Sequence, residues 1–232
     1  MKNLLLNKVQ LILEALASSG ALSINELAEK FDIPLPTVSR IISDMTEMKL
    51  VEKIDFYRVA PAAGLIRLGE SARKHSNLVQ RTVPLLDRFA EQMQMNVILA
   101  GFEENTMFPL YRRGKTENSS NIIWESGLAL VLMDQAALPF DHCRELFLQN
   151  SPGAAETELL IFSRELENIK NEQRLFRSKT MRQWSCCCGF HYRGLACGFC
   201  VYGTAAPEHS REHFIMECAR LQSRITAIFS EE

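Results

Sequence analysis

The chain lacks an excess of charge of either sign. Its 232 residues carry 26 Lys and Arg against 28 Asp and Glu, a formal net charge of −2. Residues 1–64 show the same balance, with seven basic and eight acidic side chains. A protein that binds nucleic acid by general electrostatic attraction is more basic than this. Any binding to DNA would therefore rest on a few placed groups and on two half-sites bound at once.

Long apolar runs are also missing. Asn7, Lys8 and Gln10 interrupt the apolar start, which argues against a signal peptide, and no segment approaches the roughly 18 apolar residues of a membrane span. Seven cysteines without a secretory signal predict reduced thiols in a cytoplasmic protein. The sequence has no phosphate-binding loop, nucleophile elbow or paired-carboxylate signature, so we predict neither an enzyme nor a bound cofactor.

Residues 23–49 are the most informative segment. Ser23 and Glu26 form a capping box that starts a helix, and Pro34 ends it because the residue before a proline is pushed out of the α region. Pro36 suits the first turn of a second helix. Both helices have an apolar stripe at helical spacing, namely Ile24, Leu27, Ala28 and Phe31 in the first and Val38, Ile41, Ile42 and Met45 in the second. This pattern is typical of a helix-turn-helix, which lays its second helix in the major groove of DNA.

The flanking segments predict a winged helix-turn-helix, because an amphipathic helix precedes the pair and a strand-like stretch at 50–59 follows it. Arg40 on the outward polar face can bind a phosphate or pair with guanine. The competing interpretation of Arg40 is an ion pair with Asp44 or Glu47 on the same helix. The predicted DNA-binding residues are Pro36, Thr37, Ser39, Arg40 and Ser43 on the second helix and Arg58 on the wing.

A second domain follows. The first domain is placed at residues 1–64, a charged linker helix at 65–83, and the second domain at 84–232, starting with a helix at Pro84. Helices that alternate with antiparallel strands indicate an α+β sensor domain. The predicted strands are 96–102, 107–112, 181–190 and 195–202, and the predicted helices are 126–133, 141–149, 156–177 and 208–229.

These segments resemble the IclR family of bacterial transcriptional regulators along almost the whole chain. The motifs are Leu-Ala-Glu-Lys-Phe-Asp-Ile-Pro-Leu-Pro-Thr-Val-Ser-Arg at 27–40, Leu-Val-Glu at 50–52, Pro-Leu-Leu-Asp-Arg-Phe-Ala at 84–90, Ser-Gly-Leu-Ala-Leu at 126–130 and Cys-Gly-Phe-Cys-Val-Tyr-Gly at 197–203. The resemblance implies a winged-helix DNA reader, a linker helix that dimerises, and a GAF-like domain that binds a small effector. It also implies a dimer or a dimer of dimers on a palindromic double-stranded operator.

The chain departs from the family pattern in four places. Leu35-Pro36 replaces a Lys-Ser pair, which removes one phosphate or base contact, and Gly127-Leu128-Ala129 replaces Gly-Lys-Ala. The loop at 178–185 lacks the Glu-x-x-x-Gly signature, and the wing is shortened around Asp55.

The resemblance further implies an effector pocket against a curved sheet. Strand alternation places Cys200 and Tyr202 on one face of the last strand. A one-residue difference in register decides which residues of the preceding strand share this face, either Trp184, Cys186 and Cys188 or Ser185 and Cys187. We assign the first set, with Trp124, Glu125 and Ser126 on the opposite wall. Such a pocket favours an aromatic effector over a small carboxylate, or is filled by its own side chains.

The cysteines support a second hypothesis, in which the hairpin with Cys186–Cys188, Cys197 and Cys200 senses thiol oxidation or a metal. Alternation along strands argues against a metal site, since Cys-x-x-Cys in zinc ribbons lies on a tight turn. Small buried side chains are the plainer interpretation. Two further alternatives are a thiol enzyme of the methionine sulfoxide reductase type and an interaction protein whose helix-turn-helix binds a protein partner.

Overall fold

The computed structural model describes residues 4–114, 122–206 and 208–230. The chain forms two compact units, Met1–His75 and Ser76–Glu232. Among the described residues, no helix is both long enough and apolar enough to cross a membrane.

The first unit is a winged helix-turn-helix, as predicted. Its three short strands form an antiparallel sheet in the order β1-β3-β2. The two-residue strand β1 was not predicted, because so short a strand shows no alternation. The elements are α1 (Leu4–Ser19), β1 (Leu22–Ser23), α2 (Ile24–Phe31), α3 (Leu35–Glu47), β2 (Val51–Lys53), β3 (Arg58–Pro61) and α4 (Ala63–His75).

Local sequence signals fix the turn between α2 and α3. The Glu26 amide donates to the Ser23 hydroxyl at 3.1 Å, and the Ser23 amide donates to the Glu26 carboxylate at 2.7 Å, which completes the capping box. Asp32 ends α2 in the left-handed conformation, with φ of 49°. Both apolar stripes enter one core, whose fully buried residues include Ile12, Leu16, Leu27, Val38 and Ile42.

The second unit is a five-stranded antiparallel sheet with helices on both faces. The strand order is β5-β4-β8-β7-β6. Its elements are α5 (Asn77–Met93), β4 (Asn96–Glu103), β5 (Thr106–Arg113), α6 (Ile122–Glu125), α7 (Leu128–Gln135), α8 (Phe140–Asn150), α9 (Glu156–Glu172), β6 (Arg174–Ser178), β7 (Gln183–Tyr192), β8 (Leu195–Thr204) and α10 (Arg211–Phe229).

Two predicted helices have different bounds. Helix α5 begins at Asn77 and not at Pro84, because Ser76 accepts the Val79 amide as an N-cap. The helix predicted at 156–177 ends at Glu172, where Gln173 adopts the left-handed conformation. Residues 174–178 are an edge strand instead, so the prediction of a helix there is wrong.

The strand register separates the two faces of the sheet. Ser185 lies opposite Tyr202 and Cys187 lies opposite Cys200. These residues face α7, α8 and α9, whereas Cys186 and Cys188 lie in the core under α5 and α10. We call the face toward α7 the α7 face.

A bulge in β5 changes the alternation there. Leu99 pairs with Tyr111 and Ala100 pairs with Pro109, so Leu110 has no partner opposite it. Pro109 and Arg112, three residues apart, consequently lie opposite Ala100 and Ile98, both of which belong to the core on the α7 face.

Candidate DNA interface and effector cavity

The outward face of α3 has the predicted composition. Pro36, Ser39, Arg40 and Ser43 are exposed and Thr37 is half-buried. Within the ranges that the structure describes, Arg40 has no ion-pair partner, so the alternative pair with Asp44 or Glu47 is not formed. The guanidinium is therefore available to a ligand.

The wing is a tight turn built on one carboxylate. One oxygen of Asp55 accepts the backbone amides of Tyr57 at 2.9 Å and Arg58 at 2.8 Å, and the other accepts Arg58 Nε at 2.8 Å. These bonds, the Tyr57 amide first, lower the pKa of Asp55 below its usual range. Arg58 thus lies on the wing as predicted, but its charge is shared with Asp55.

A cavity of about 410 Å³ opens on the α7 face of the second unit. One row of the sheet forms its floor, in which Asn96 pairs with Tyr202, Tyr202 with Ser185, and Ser185 with Arg177. Its other lining residues are Arg112, Ile122, Glu125, Ser126, Lys179, Gln183, Trp184, Gly203 and Thr204.

The corner between α6 and α7 is fixed to this floor. The Ser126 carbonyl accepts the Ser185 hydroxyl and the Cys187 thiol, each at 3.2 Å. Gly127 caps α7 with φ of 87°, and a Cβ there would lie 2.5 Å from Leu175 Cδ2. Only glycine therefore fits this corner without displacement of its neighbours.

Arg177 connects the floor to the helices. Its Nε and Nη2 donate to the two oxygens of Glu165 on α9 at 3.0 and 2.5 Å. Its Nη1 donates to the carbonyls of Trp124 and Glu125 at 3.2 and 3.0 Å. Its positive charge is compensated by Glu165, so Arg177 positions the cavity wall and does not offer an unpaired cation.

Among the described residues, Arg112, unlike Arg177, has no carboxylate that compensates its charge. Its buried Nε has no hydrogen-bond partner, and in the described part of the chain its guanidinium has no acidic partner. The next residue, Arg113, lies on the other face, where it pairs with Asp87 and Glu91 at 3.3 and 2.8 Å. A half-buried, uncompensated guanidinium at the cavity is suited to bind a carboxylate.

Only some of the predicted effector residues lie at this cavity. Glu125, Ser126 and Tyr202 line the cavity, and Cys200 lies buried on the same face next to Cys187. Trp184 borders the cavity, but its indole packs on Phe214 in the core of the other face.

The remaining predicted residues lie outside this cavity. Trp124 borders a separate cavity of about 300 Å³ together with residues of α8 and α9, among them Phe147. The assignment of Cys186 and Cys188 to the effector face is wrong, because the observed register is the alternative with Ser185 and Cys187. The sequence prediction also omitted Asn96, Arg112 and Arg177.

The cysteines do not form an exposed thiol site. All seven are free and buried. Burial raises the pKa of Cys187, Cys188 and Cys218, and that of Cys197 to about 12. Hydrogen bonds from the Cys188 and Cys218 thiols lower the pKa of Cys186, which is 1% exposed. In the described ranges no three His, Cys, Asp or Glu side chains are grouped to hold a metal ion.

Comparison with known proteins identifies a family match in the first unit and solved structures whose fold is similar over both units. Residues 6–55 match the IclR helix-turn-helix domain. No curated protein matches the chain. Similar solved structures are an IclR family transcriptional regulator from Brucella abortus (17% identity, 97% of this chain and 91% of that one, TM-score 0.69) and an IclR transcriptional regulator from Alicyclobacillus acidocaldarius (11%, 98% and 99%, TM-score 0.65). Another is an IclR homologue from Microbacterium hydrocarbonoxydans in complex with 4-hydroxybenzoate (19%, 98% and 100%, TM-score 0.58).

Proposed function

We propose that this chain, which has an IclR helix-turn-helix domain and the fold of IclR family regulators over nearly its whole length, controls transcription by binding an operator in response to a small organic anion. The observation that supports the anion most directly is the uncompensated guanidinium of Arg112 at the cavity of the second unit. The proposal includes no catalytic step.

The DNA-binding half of the proposal rests on α3. Its exposed residues are small or polar, apart from Leu35 at its start, and the unpaired Arg40 is its one cation, so this helix can approach base edges closely. Because each copy offers few contacts, we propose that two copies bind the two halves of a palindromic operator.

The effector class follows from the cavity lining. Besides the paired Arg177, the lining holds the two cations Arg112 and Lys179 against the one carboxylate of Glu125, so positive charge is in excess. Tyr202 and Ile122 supply aromatic and apolar surface. We therefore propose that the effector is an aromatic carboxylate. Such a molecule has both the aromatic ring and the carboxylate that were alternatives from the sequence alone. The complex of the Microbacterium homologue with 4-hydroxybenzoate supports a ligand of this class.

The effector proposal is tested by comparing 4-hydroxybenzoate with 4-hydroxybenzamide in calorimetric titrations. We expect the acid to bind and the neutral amide to bind much more weakly. Arg112→Gln should reduce acid affinity about 10-fold or more, because a hydrogen bond to a charged group contributes about 1.5–3 kcal/mol. Arg113→Gln is the matched control on the opposite face and should leave the affinity unchanged. Equal binding of acid and amide, unaffected by Arg112→Gln, would refute the anion assignment.

The salt dependence of operator binding is a second test. Since residues 1–64 carry only seven basic against eight acidic side chains, few phosphates are neutralised, and we expect log Kd to change with log salt by a slope of magnitude below about 5. Titrations from about 50 to 200 mM salt measure this slope. A slope near 10, as expected for many released counterions, would contradict the proposed contact set.

A further inference from the structure

The wing exposes its largest side chains completely. Phe56 is 96% exposed and Tyr57 is 77% exposed, and their ring centroids lie 6.2 Å apart. Neither belongs to the core of the first unit. Two adjacent aromatic rings with almost no intramolecular packing are a costly arrangement for a free surface, and such exposure marks an interaction site.

The same turn is held firmly in place. Asp55 accepts two backbone amides and one guanidinium N–H, and the Ile54 amide donates to the Arg58 carbonyl at 3.0 Å. The backbone that presents the two rings is therefore ordered before any partner binds. Pre-ordering lowers the entropic cost of binding through these side chains.

The turn is also close to electrostatically neutral. Arg58 compensates the charge of Asp55. The three hydrogen bonds to the Asp55 carboxylate and the backbone bond between Ile54 and Arg58 all lie within residues 54–58. The turn thus offers apolar aromatic surface where a winged helix that relied on phosphate contacts would offer free cations. This matches the charge balance of residues 1–64, in which seven basic side chains are offset by eight acidic ones.

We propose that Phe56, supported by Tyr57, inserts into the minor groove beside the α3 site and stacks on or wedges between base pairs. The inference rests on the proposed operator binding. Apolar side chains such as phenylalanine unstack base steps in this way in minor-groove proteins. The aromatic wedge would replace part of the electrostatic affinity that a more basic DNA-binding unit obtains from phosphate contacts.

The chain geometry allows this contact. From Leu50, just after α3, to Phe56 the chain can extend at most about 20 Å, and the major groove is about 12 Å wide. Helix α3 packs against β2, from which the wing extends. A wing within this reach of α3 could contact the groove next to the one that α3 is proposed to enter.

The test uses the full-length protein and a duplex selected from a random pool by the unmodified chain. We expect Phe56→Ala to weaken binding to this duplex about 10-fold, in line with the measured contribution of aromatic stacking on bases. The salt slope should stay unchanged, because no charge is removed. A 2-aminopurine placed beside the α3 half-site should brighten on binding of the unmodified protein and not of Phe56→Ala.

Two control variants sharpen the result. Phe56→Leu keeps an apolar wedge and should retain most of the affinity, whereas Met181→Ala removes a side chain that is 94% exposed in the second unit and should have no effect. Unchanged affinity and unchanged 2-aminopurine signal for Phe56→Ala would overturn the proposal. A change of oligomeric mass without loss of DNA affinity would also overturn it, in favour of a protein contact. If the unmodified chain selects no duplex, the proposed function itself fails.

Discussion

Arg40→Ala should weaken operator binding by about 100-fold or more. A bidentate arginine–guanine pair contributes about 1–3 kcal/mol, and the two copies proposed to bind a palindrome would make this contact twice. Arg40 is exposed and unpaired among the described residues, so its loss removes the contact without disturbing a fold interaction. Equilibrium titration of the selected duplex with the variant measures the effect.

Arg40→Lys distinguishes the contribution of the positive charge from that of the planar guanidinium in the same assay. Lysine keeps the charge but cannot form the planar pair with guanine, so we expect it to recover non-specific binding and not the preference for the selected duplex. Arg144→Ala removes an exposed arginine of α8 and serves as the charge-matched control. If Arg40→Ala binds like the unmodified chain, α3 is not the DNA reader, and a protein-binding role for the helix-turn-helix becomes the better hypothesis.

Gly64→Ala should destabilise the first unit by about 1–3 kcal/mol, the typical cost of overpacking. A Cβ on Gly64 would lie 2.2 Å from the Lys49 carbonyl oxygen, and this oxygen accepts the Gly64 amide at 3.0 Å. Because the obstacle is backbone, the start of α4 and the end of α3 would have to separate. Urea unfolding followed by far-UV circular dichroism measures the loss.

The chain contains its own control for this substitution. Gly69 lies on the same helix with nothing within 4 Å of a Cβ, so Gly69→Ala should stabilise α4 by about 0.5–1 kcal/mol through helix propensity. Trp124 and Trp184 both belong to the second unit, and their fluorescence transition should not move in either variant. A Gly64→Ala protein as stable as the unmodified chain would show that the contact relaxes freely.

The first unit could be predicted from the sequence because its signals are local. A capping box at Ser23 and Glu26, prolines at positions 34 and 36 around the start of α3, and two apolar stripes define α2 and α3 within about 25 residues. The fold of the second unit could be predicted at the level of helices and antiparallel strands for the same reason.

The lining of the cavity could be predicted only in part, because it depends on the strand register and on one edge strand. The sequence near the hairpin does not determine whether Cys186 or Cys187 lies on the same face as Cys200, because both registers produce the same alternation along the strand. Arg177 was hidden in a charged segment that continues a helical pattern through Gln173, where the helix in fact ends. The bulge at Leu110 breaks the alternation along β5, so the face on which Arg112 lies cannot be inferred by counting from the first residues of the strand.

The burial of the cysteines has a practical consequence for work on this protein. None of the seven cysteine residues is more than 1% exposed, so we expect the folded chain to react with thiol-reactive dyes no faster than a protein without cysteine. A single cysteine introduced at an exposed wing or α3 position would then carry the only reactive label. If two copies bind one duplex as proposed, energy transfer can follow the distance between their labels without prior removal of any native cysteine.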